Sequence, residues 1–170
     1  MNDEISQNDV VDLAMDQWRQ EEPSLDPSPM GITSRLFQIQ AKSEKLFRQY
    51  LMSFEIGIHE FDVLATLKRS GPPFRLSPTQ LYKSSMLTSG AMTNRIDRLE
   101  KQRLVLRKKD PQDRRAQFVE LSAKGHELIS GIIPDYFQQL SHLLSPLTEF
   151  EQTQLAILLR KLNLGIKWEA

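Results

Sequence analysis

The stretch Leu87-Thr-Ser-Gly-Ala-Met-Thr-Asn-Arg-Ile-Asp-Arg-Leu-Glu100 limits the fold more than any other part of the chain. Read as a helix, it places Met92, Ile96 and Leu99 at i, i+4 and i+7, one apolar stripe. Gly90, Asn94 and Asp97 turn the other way at about 100° per residue. Thr88, Ser89 and Thr93 gather at or near the N-terminal end. One side is greasy enough to dock on a small domain, and the other end offers short polar groups with almost no bulk. An ordinary surface helix shares some of these properties. A helix that enters a nucleic-acid groove with its first turns needs all of them.

The neighbouring residues favour the second reading. Upstream, Ser77-Pro-Thr-Gln80 forms a capping box with proline at the first helical position, opening a short helix to about Met86. Two helices joined by a tight connection, the second carrying the small polar residues, predict a helix-turn-helix. Downstream the period changes. Leu104–Lys108 and Gln117–Leu121 are strand-like runs, separated by the polar turn Lys109-Asp-Pro-Gln-Asp-Arg-Arg115. A β-hairpin with a basic tip directly after a helix-turn-helix predicts a winged helix-turn-helix.

On such a wing Arg114 and Arg115 sit beside the duplex, where a guanidinium enters a narrow minor groove. Asp113 orients one of them through a charge-assisted bond. Taken alone, the arginine pair reads equally well as a solvated turn; its place after this helix favours the wing. The expected DNA contacts are Ser77, Thr79, Thr88, Ser89, Thr93, Asn94, Arg98, Arg114 and Arg115.

The remaining chain is helical. Asn8 to Glu22 repeats Val10, Val11, Leu13, Ala14 and Trp18 at helical spacing, and prolines at 23, 27 and 29 end it. This is an added arm, docked if Trp18 is buried. Ile32 to Phe54 is a long helix with Ile32, Leu36, Ile39, Leu46 and Tyr50 on its apolar face, closed by Gly57 as a C-terminal signal. Ile58 to Leu67 is a shorter helix with Phe61, Leu64, Ala65 and Lys68 bracketing its inner side. Lys124 to Leu144 is another long one, bent at Pro134. Thr148 and Glu151 form a capping box that opens the last helix.

The expected organisation is an N-terminal arm over 1–29, dimerisation helices over 30–56 and 122–168, and a DNA-binding lobe over 57–121. The class is mainly α with a small β-hairpin wing. Apolar terminal helices without a partner in their own chain predict a homodimer. A homodimer suits a palindromic site with half-sites about one helical turn apart.

Charge is unevenly spread. The net charge is +0, so no global field draws the chain to nucleic acid or membrane. Residues 1–30 nevertheless hold eight acids and one base, whereas residues 75–115 hold eleven bases and four acids. A local basic block is the footprint of phosphate binding. There is no cysteine, which removes disulfides and thiolate chemistry. His59, His126 and His142 are scattered and read as helix-surface residues; no acid–base pair, metal cluster or glycine-rich phosphate loop appears. Neither an enzyme nor a metal sensor is expected, and no cofactor. No apolar run approaches the roughly 18 residues of a membrane span and no signal pattern is present, so a cytoplasmic protein is expected.

Four segments, Leu76–Leu81, Thr88–Leu99, Asp110–Arg115 and Val119–Gly125, together resemble the MarR family of bacterial regulators over residues 30–165. The resemblance implies a dimeric winged-helix repressor released from DNA by a small ligand or by oxidation. Cysteine-based sensing is excluded here, which leaves methionine oxidation at Met86 or Met92 as the oxidative route. Arg103 stands where the family usually has glycine.

Trp18 with the following Glu-Glu-Pro-Ser-Leu-Asp-Pro-Ser-Pro-Met30 resembles the urate-responsive, PecS-type subgroup. That subgroup's ligand residues fall on Trp18, Asp62, Arg95 and Arg107, and all four residue types match. Arg95 lies roughly 60–70° from the centre of the apolar stripe, half turned inward and poorly placed for a base. An anionic aromatic ligand such as urate would pair with Arg95 and Arg107 near Trp18 and repel Asp62. A permanent Asp62–Arg95 ion pair, with Trp18 as plain core, is the other reading. A dimeric interaction module of this fold without specific DNA binding, and a regulator with no small-molecule effector, are the alternatives at the level of function.

Overall fold

The computed structural model describes residues 8–85, 92–109 and 117–166. They form two compact units, which divide between Glu55 and Ile56. Among the described residues no helix is long and apolar enough to cross a membrane.

The first unit is a helix pair, α1 (Val10–Glu21) and α2 (Ser28–Met52). Asp9 caps α1. Its carboxylate accepts from the Val11 and Asp12 N–H groups, and Asp12 returns the bond to the Asp9 N–H. Pro29 suits the first turn of α2. The helices approach closely at Gly31, where an added Cβ would lie 3.1 Å from Met15 Sδ. Arg35 of α2 reaches back to Asp9 and Asp12, each at 2.8 Å. The arm is docked, but not through Trp18, which stays 48% exposed while Val11 is buried. The reach of one guanidinium to two carboxylates replaces the ring burial that the sequence suggested.

Arg35 holds the Asp9 carboxyl down at about 2, helped by the two backbone N–H groups. A lowered folded-state value stabilises above the ordinary carboxylate range and is lost as pH falls through the folded value. Trp18 fluorescence in a Trp168→Phe background should therefore hold steady down to about pH 4. It should then change as pH approaches about 2. Arg35→Ala should already show the changed signal at neutral pH.

Within this chain α2 buries Phe47 and Leu51, whereas Ile32, Ile39 and Leu46 of the expected apolar face are exposed. One expectation for α2 needs correction. The helix does not end on Gly57. Glu55 takes the left-handed turn at φ 57°, and Gly57, with extended backbone, instead caps the next helix.

The second unit runs α3 (Ile58–Arg69), β1 (Arg75–Leu76), α4 (Pro78–Ser84), α5 (Met92–Lys101), β2 (Val105–Lys109), β3 (Gln117–Leu121), α6 (Ala123–Leu143) and α7 (Glu149–Gly165). Its hub is α3. Phe61, Val63, Leu64 and Leu67 are buried together with Glu60, Asp62 and Thr66, and α4, α5, α6 and β3 all pack on this helix. The sheet has three antiparallel strands in the order β1-β3-β2, with Arg75 opposite Glu120 and Arg107 opposite Val119. The hairpin was legible in the sequence. The added strand β1, two residues long, is too short to show alternation. His126, expected on a helix surface, is half-buried: Lys68 Nζ lies 2.6 Å from its Nε2.

Both capping boxes expected at Ser77 and Thr148 are formed. The end of α5 is a Schellman turn, with Leu104 N–H bonded to Leu99 O and Arg103 N–H to Glu100 O. Arg103 occupies its left-handed position at φ 61°. A side chain there costs backbone strain that glycine avoids. Arg103→Gly should stabilise the protein by about 1 kcal/mol, raising the midpoint of thermal unfolding by about 3 °C.

Candidate nucleic-acid interface

The two faces of α5 separate as its periodicity requires. Met92, Ile96 and Leu99 are buried. Thr93 and Asn94, at the start of the described helix, are exposed on the other side. Short hydroxyl and amide side chains on a helix clamped from behind can meet base edges without steric obstruction.

The clamp is electrostatic as well as apolar. From β2, Arg107 donates Nη1 to Glu100 Oε2 at 2.6 Å and Nη2 to Asp97 Oδ1. These carboxylates, Asp97 foremost, raise the Arg107 pKa against the opposing effect of burial. Asp97 and Glu100 stand three residues apart on one side of α5, which lets one guanidinium bridge both. From the other direction, Arg98 Nη1 lies 3.0 Å from Glu60 Oε1, whose side chain is 6% exposed while that of Arg98 is 65% exposed. The helix α5 is thus tied to β2 and to α3 by separate ion pairs.

The other expected contacts are distributed as follows. Ser77 caps α4, accepting from the Gln80 N–H at 3.2 Å, and Thr79 is exposed on the first turn of that helix. Lys108 and Lys109 are exposed along β2, and Arg75 lies 5.1 Å from the Phe118 ring. Thr88, Ser89, Arg114 and Arg115, with Asp113, lie outside the described residues.

Beside α3 and α6 the second unit holds a hollow of about 360 Å³, lined by Phe61, Asp62, Ala65, Arg69, Ile133, Tyr136 and Phe137 among others. Phe61 and Tyr136 meet with ring centroids 4.6 Å apart. Burial, reinforced by the Asp62 carboxylate, pushes the Tyr136 hydroxyl's pKa upward. Of the four residues matched to a ligand site, Asp62 is buried in this wall, Arg95 is on α5, and Arg107 is engaged by Asp97 and Glu100. Trp18 lies in the first unit, beside a smaller hollow of about 250 Å³ with Leu25, Asp26, Pro27 and Met30.

Comparison with known proteins bears directly on this arrangement. The MarR family model matches residues 56–116, a segment that includes α3, β1, α4, α5 and β2. The HTH-type transcriptional regulator PecS of Dickeya dadantii is 32% identical over 155 residues, covering 91% of this chain and 93% of PecS. The chain belongs to the MarR family.

Two solved MarR-type structures share the fold. A mutant of E. coli MarR, complexed with operator DNA, superposes with a TM-score of 0.69 at 25% identity, over 85% of this chain and 96% of that one. Bordetella bronchiseptica BpsR superposes with a TM-score of 0.68 at 23% identity, over 78% of this chain and 98% of that one. MarR-family transcriptional regulators bind DNA, and the family match spans the segment that carries α3, α4, α5 and β2. Sequence reading of this MarR-family chain missed Glu60, Asp97, Glu100, Arg69 and Tyr136 as parts of the site. The i, i+3 spacing of Asp97 and Glu100 was a usable signal; the others depend on contacts between elements distant in sequence.

Proposed function

We propose that two copies of this chain bind a palindromic operator and repress transcription, and that a small anionic aromatic ligand such as urate relieves the repression. The observation that carries the DNA-binding part is α5 itself: buried Met92, Ile96 and Leu99 behind the outward Thr93 and Asn94. Ser77, Thr79, Thr88, Ser89, Arg98, Arg114 and Arg115 supply the remaining contacts in this reading. Support for a dimer comes from α7. No residue of it is buried, and Phe150, Ile157, Leu158 and Leu164 are well exposed. Such a helix needs a second apolar surface.

The ligand acts beside Asp62, with Arg95 and Arg107 as the cations that respond to it; Trp18 joins them through the sequence resemblance. The commitment of Arg107 to Asp97 and Glu100 favours a second reading, in which these charges only brace α5 and no effector exists. Anisotropy with a labelled fragment of the protein's own promoter tests the first part. Binding should weaken with salt by a log–log slope of about −0.9 per phosphate contact. Calorimetry with urate tests the second: binding by wild type and loss in Arg95→Ala are expected, and equal binding by both leaves only the bracing role.

A further inference from the structure

Arg98 of α5 is paired with a carboxylate on another helix. Its Nη1 lies 3.0 Å from Glu60 Oε1. Glu60 is buried on α3, whereas most of the Arg98 side chain is exposed. On the wheel of α5, Arg98 stands one turn beyond Asn94 and within about 40° of it. The two residues therefore share the outer face of the helix, opposite the buried stripe of Met92, Ile96 and Leu99. We propose that Glu60 is a specificity determinant for DNA: it aims the Arg98 guanidinium at one phosphate of a fitted site and cancels its charge toward every other duplex. The proposal rests on the reading that α5 enters the duplex through Asn94.

Three features fix the carboxylate. Glu60 lies in the first turn of α3, where the positive end of the helix dipole favours a negative charge. Its Oε2 sits against the backbone of Gly57, 2.5 Å from where a Cβ would stand. The third feature is Arg98 itself. A buried carboxylate that loses its cation is strongly destabilising, so Arg98 does not abandon Glu60 to reach DNA. The guanidinium is a planar fork with five N–H donors. One edge stays on Glu60, and the remainder serves a phosphate oxygen.

Such a pair treats the two kinds of complex differently. Sequence-independent binding is the summed attraction between cations and phosphates, and an isolated arginine strengthens it on any duplex. An arginine paired to a carboxylate is neutral at a distance and adds little. At contact the balance changes, because a guanidinium N–H meets the phosphate oxygen directly while the carboxylate stands behind it on α3. That contact also costs little ordering, since Glu60 already immobilises the long side chain. Phosphate contacts fix register and orientation. Arg98 therefore contributes where a phosphate falls at one place relative to Asn94, which is the register of the fitted site.

The test uses the full chain, with anisotropy on a labelled promoter fragment and on a scrambled fragment of equal length, across about 50–200 mM salt. Glu60→Gln keeps an acceptor for Arg98 but removes the charge. It should bind the scrambled fragment about threefold more tightly and steepen the log–log salt slope there by about 0.9. Its promoter slope should not change, because Arg98 already counts in it. Gly57→Ala acts on direction instead of charge. The extended backbone at φ −90° admits alanine, but the Cβ pushes the carboxylate aside. Promoter affinity should fall roughly two- to tenfold, with scrambled affinity at the wild-type value. Combining Glu60→Gln with Arg98→Gln keeps the net charge and leaves a neutral hydrogen-bonded pair. The promoter slope alone should become shallower, by about 0.9. Urea unfolding reports the stability of each variant; should Glu60→Gln unfold, Gly57→Ala and the double variant still decide. Equal loss on both fragments in Glu60→Gln, with both slopes unchanged, would show that Glu60 merely braces α5. A double variant that binds both fragments as wild type does would show that Arg98 touches no phosphate. Either result overturns the proposal. If Asn94→Glu also keeps wild-type promoter affinity, the fault lies instead in the reading of α5 itself.

Discussion

Asn94→Glu should reduce operator affinity by on the order of 100-fold while leaving the fold intact, a loss near the upper end of what one base contact is worth. Asn94 lies on α5, opposite the buried Met92–Ile96–Leu99 stripe. An amide there can donate to and accept from a base edge, and such a contact is worth about 1–3 kcal/mol of discrimination. Glutamate removes the donor and brings a negative charge toward phosphates and base acceptors, so repulsion adds to the lost contact. The substitution sits on the outer helical surface, where changes in stability stay within about 0.5 kcal/mol. Anisotropy would show the loss, and urea unfolding would show the unchanged stability. Asn94→Ala should be milder and should alter sequence preference more than overall affinity. Wild-type affinity in Asn94→Glu would mean that α5 does not read the duplex.

Gly125→Ala should cost about 3 kcal/mol of stability, the upper part of the range for overpacking. Gly125 lies in the first turn of α6, where its N–H donates to the Ser122 hydroxyl at 2.9 Å. A Cβ on it would stand 1.9 Å from the Leu104 carbonyl oxygen and 2.9 Å from the carbonyl carbon. This is backbone and cannot swing aside. Leu104 is held by its own N–H to Leu99 O at 2.9 Å, and its carbonyl accepts from Ser122 N–H at 3.1 Å. To admit one methyl group, α6 must lift or the Schellman turn ending α5 must shift. The gain in helix propensity from glycine to alanine, about 1 kcal/mol, does not offset that. A thermal midpoint lower by roughly 6–12 °C is expected, and a shift below about 2 °C would contradict the close contact. Because Leu104 anchors α5, operator affinity should fall in parallel.

What the sequence revealed and what it hid follow one physical divide. Features set by residues within one or two turns were legible. The stripe of α5, the capping boxes at Ser77 and Thr148, and the strands of the hairpin are of this kind, because helical periodicity, capping and alternation are local. The left-handed turn at the end of α2 was not: it falls on Glu55, although glycine is the usual occupant. The one after α5 falls on Arg103, which the resemblance alone marks as a glycine position. Gly57 therefore drew attention for the wrong reason.

Contacts between distant residues stayed hidden as well. Arg107 was picked out by resemblance as a ligand residue, yet its partners Asp97 and Glu100 lie ten and seven residues before it, on a different element. The reach of Arg69 to Ser84, fifteen residues on, is of the same kind. Trp18 could be placed on a helix from its spacing, but its exposure depends on how that helix is fastened, and Arg35 does the fastening.

Hydroxyl-radical footprinting of the wild-type protein on its own promoter addresses the DNA-reading role of α5 most directly. Two protected patches on one face of the duplex, centred about one helical turn of 10 base pairs apart, are predicted, and Asn94→Glu should erase both. Protection that is diffuse at saturating protein, or that survives in Asn94→Glu, would show that the chain does not bind a specific site through this helix.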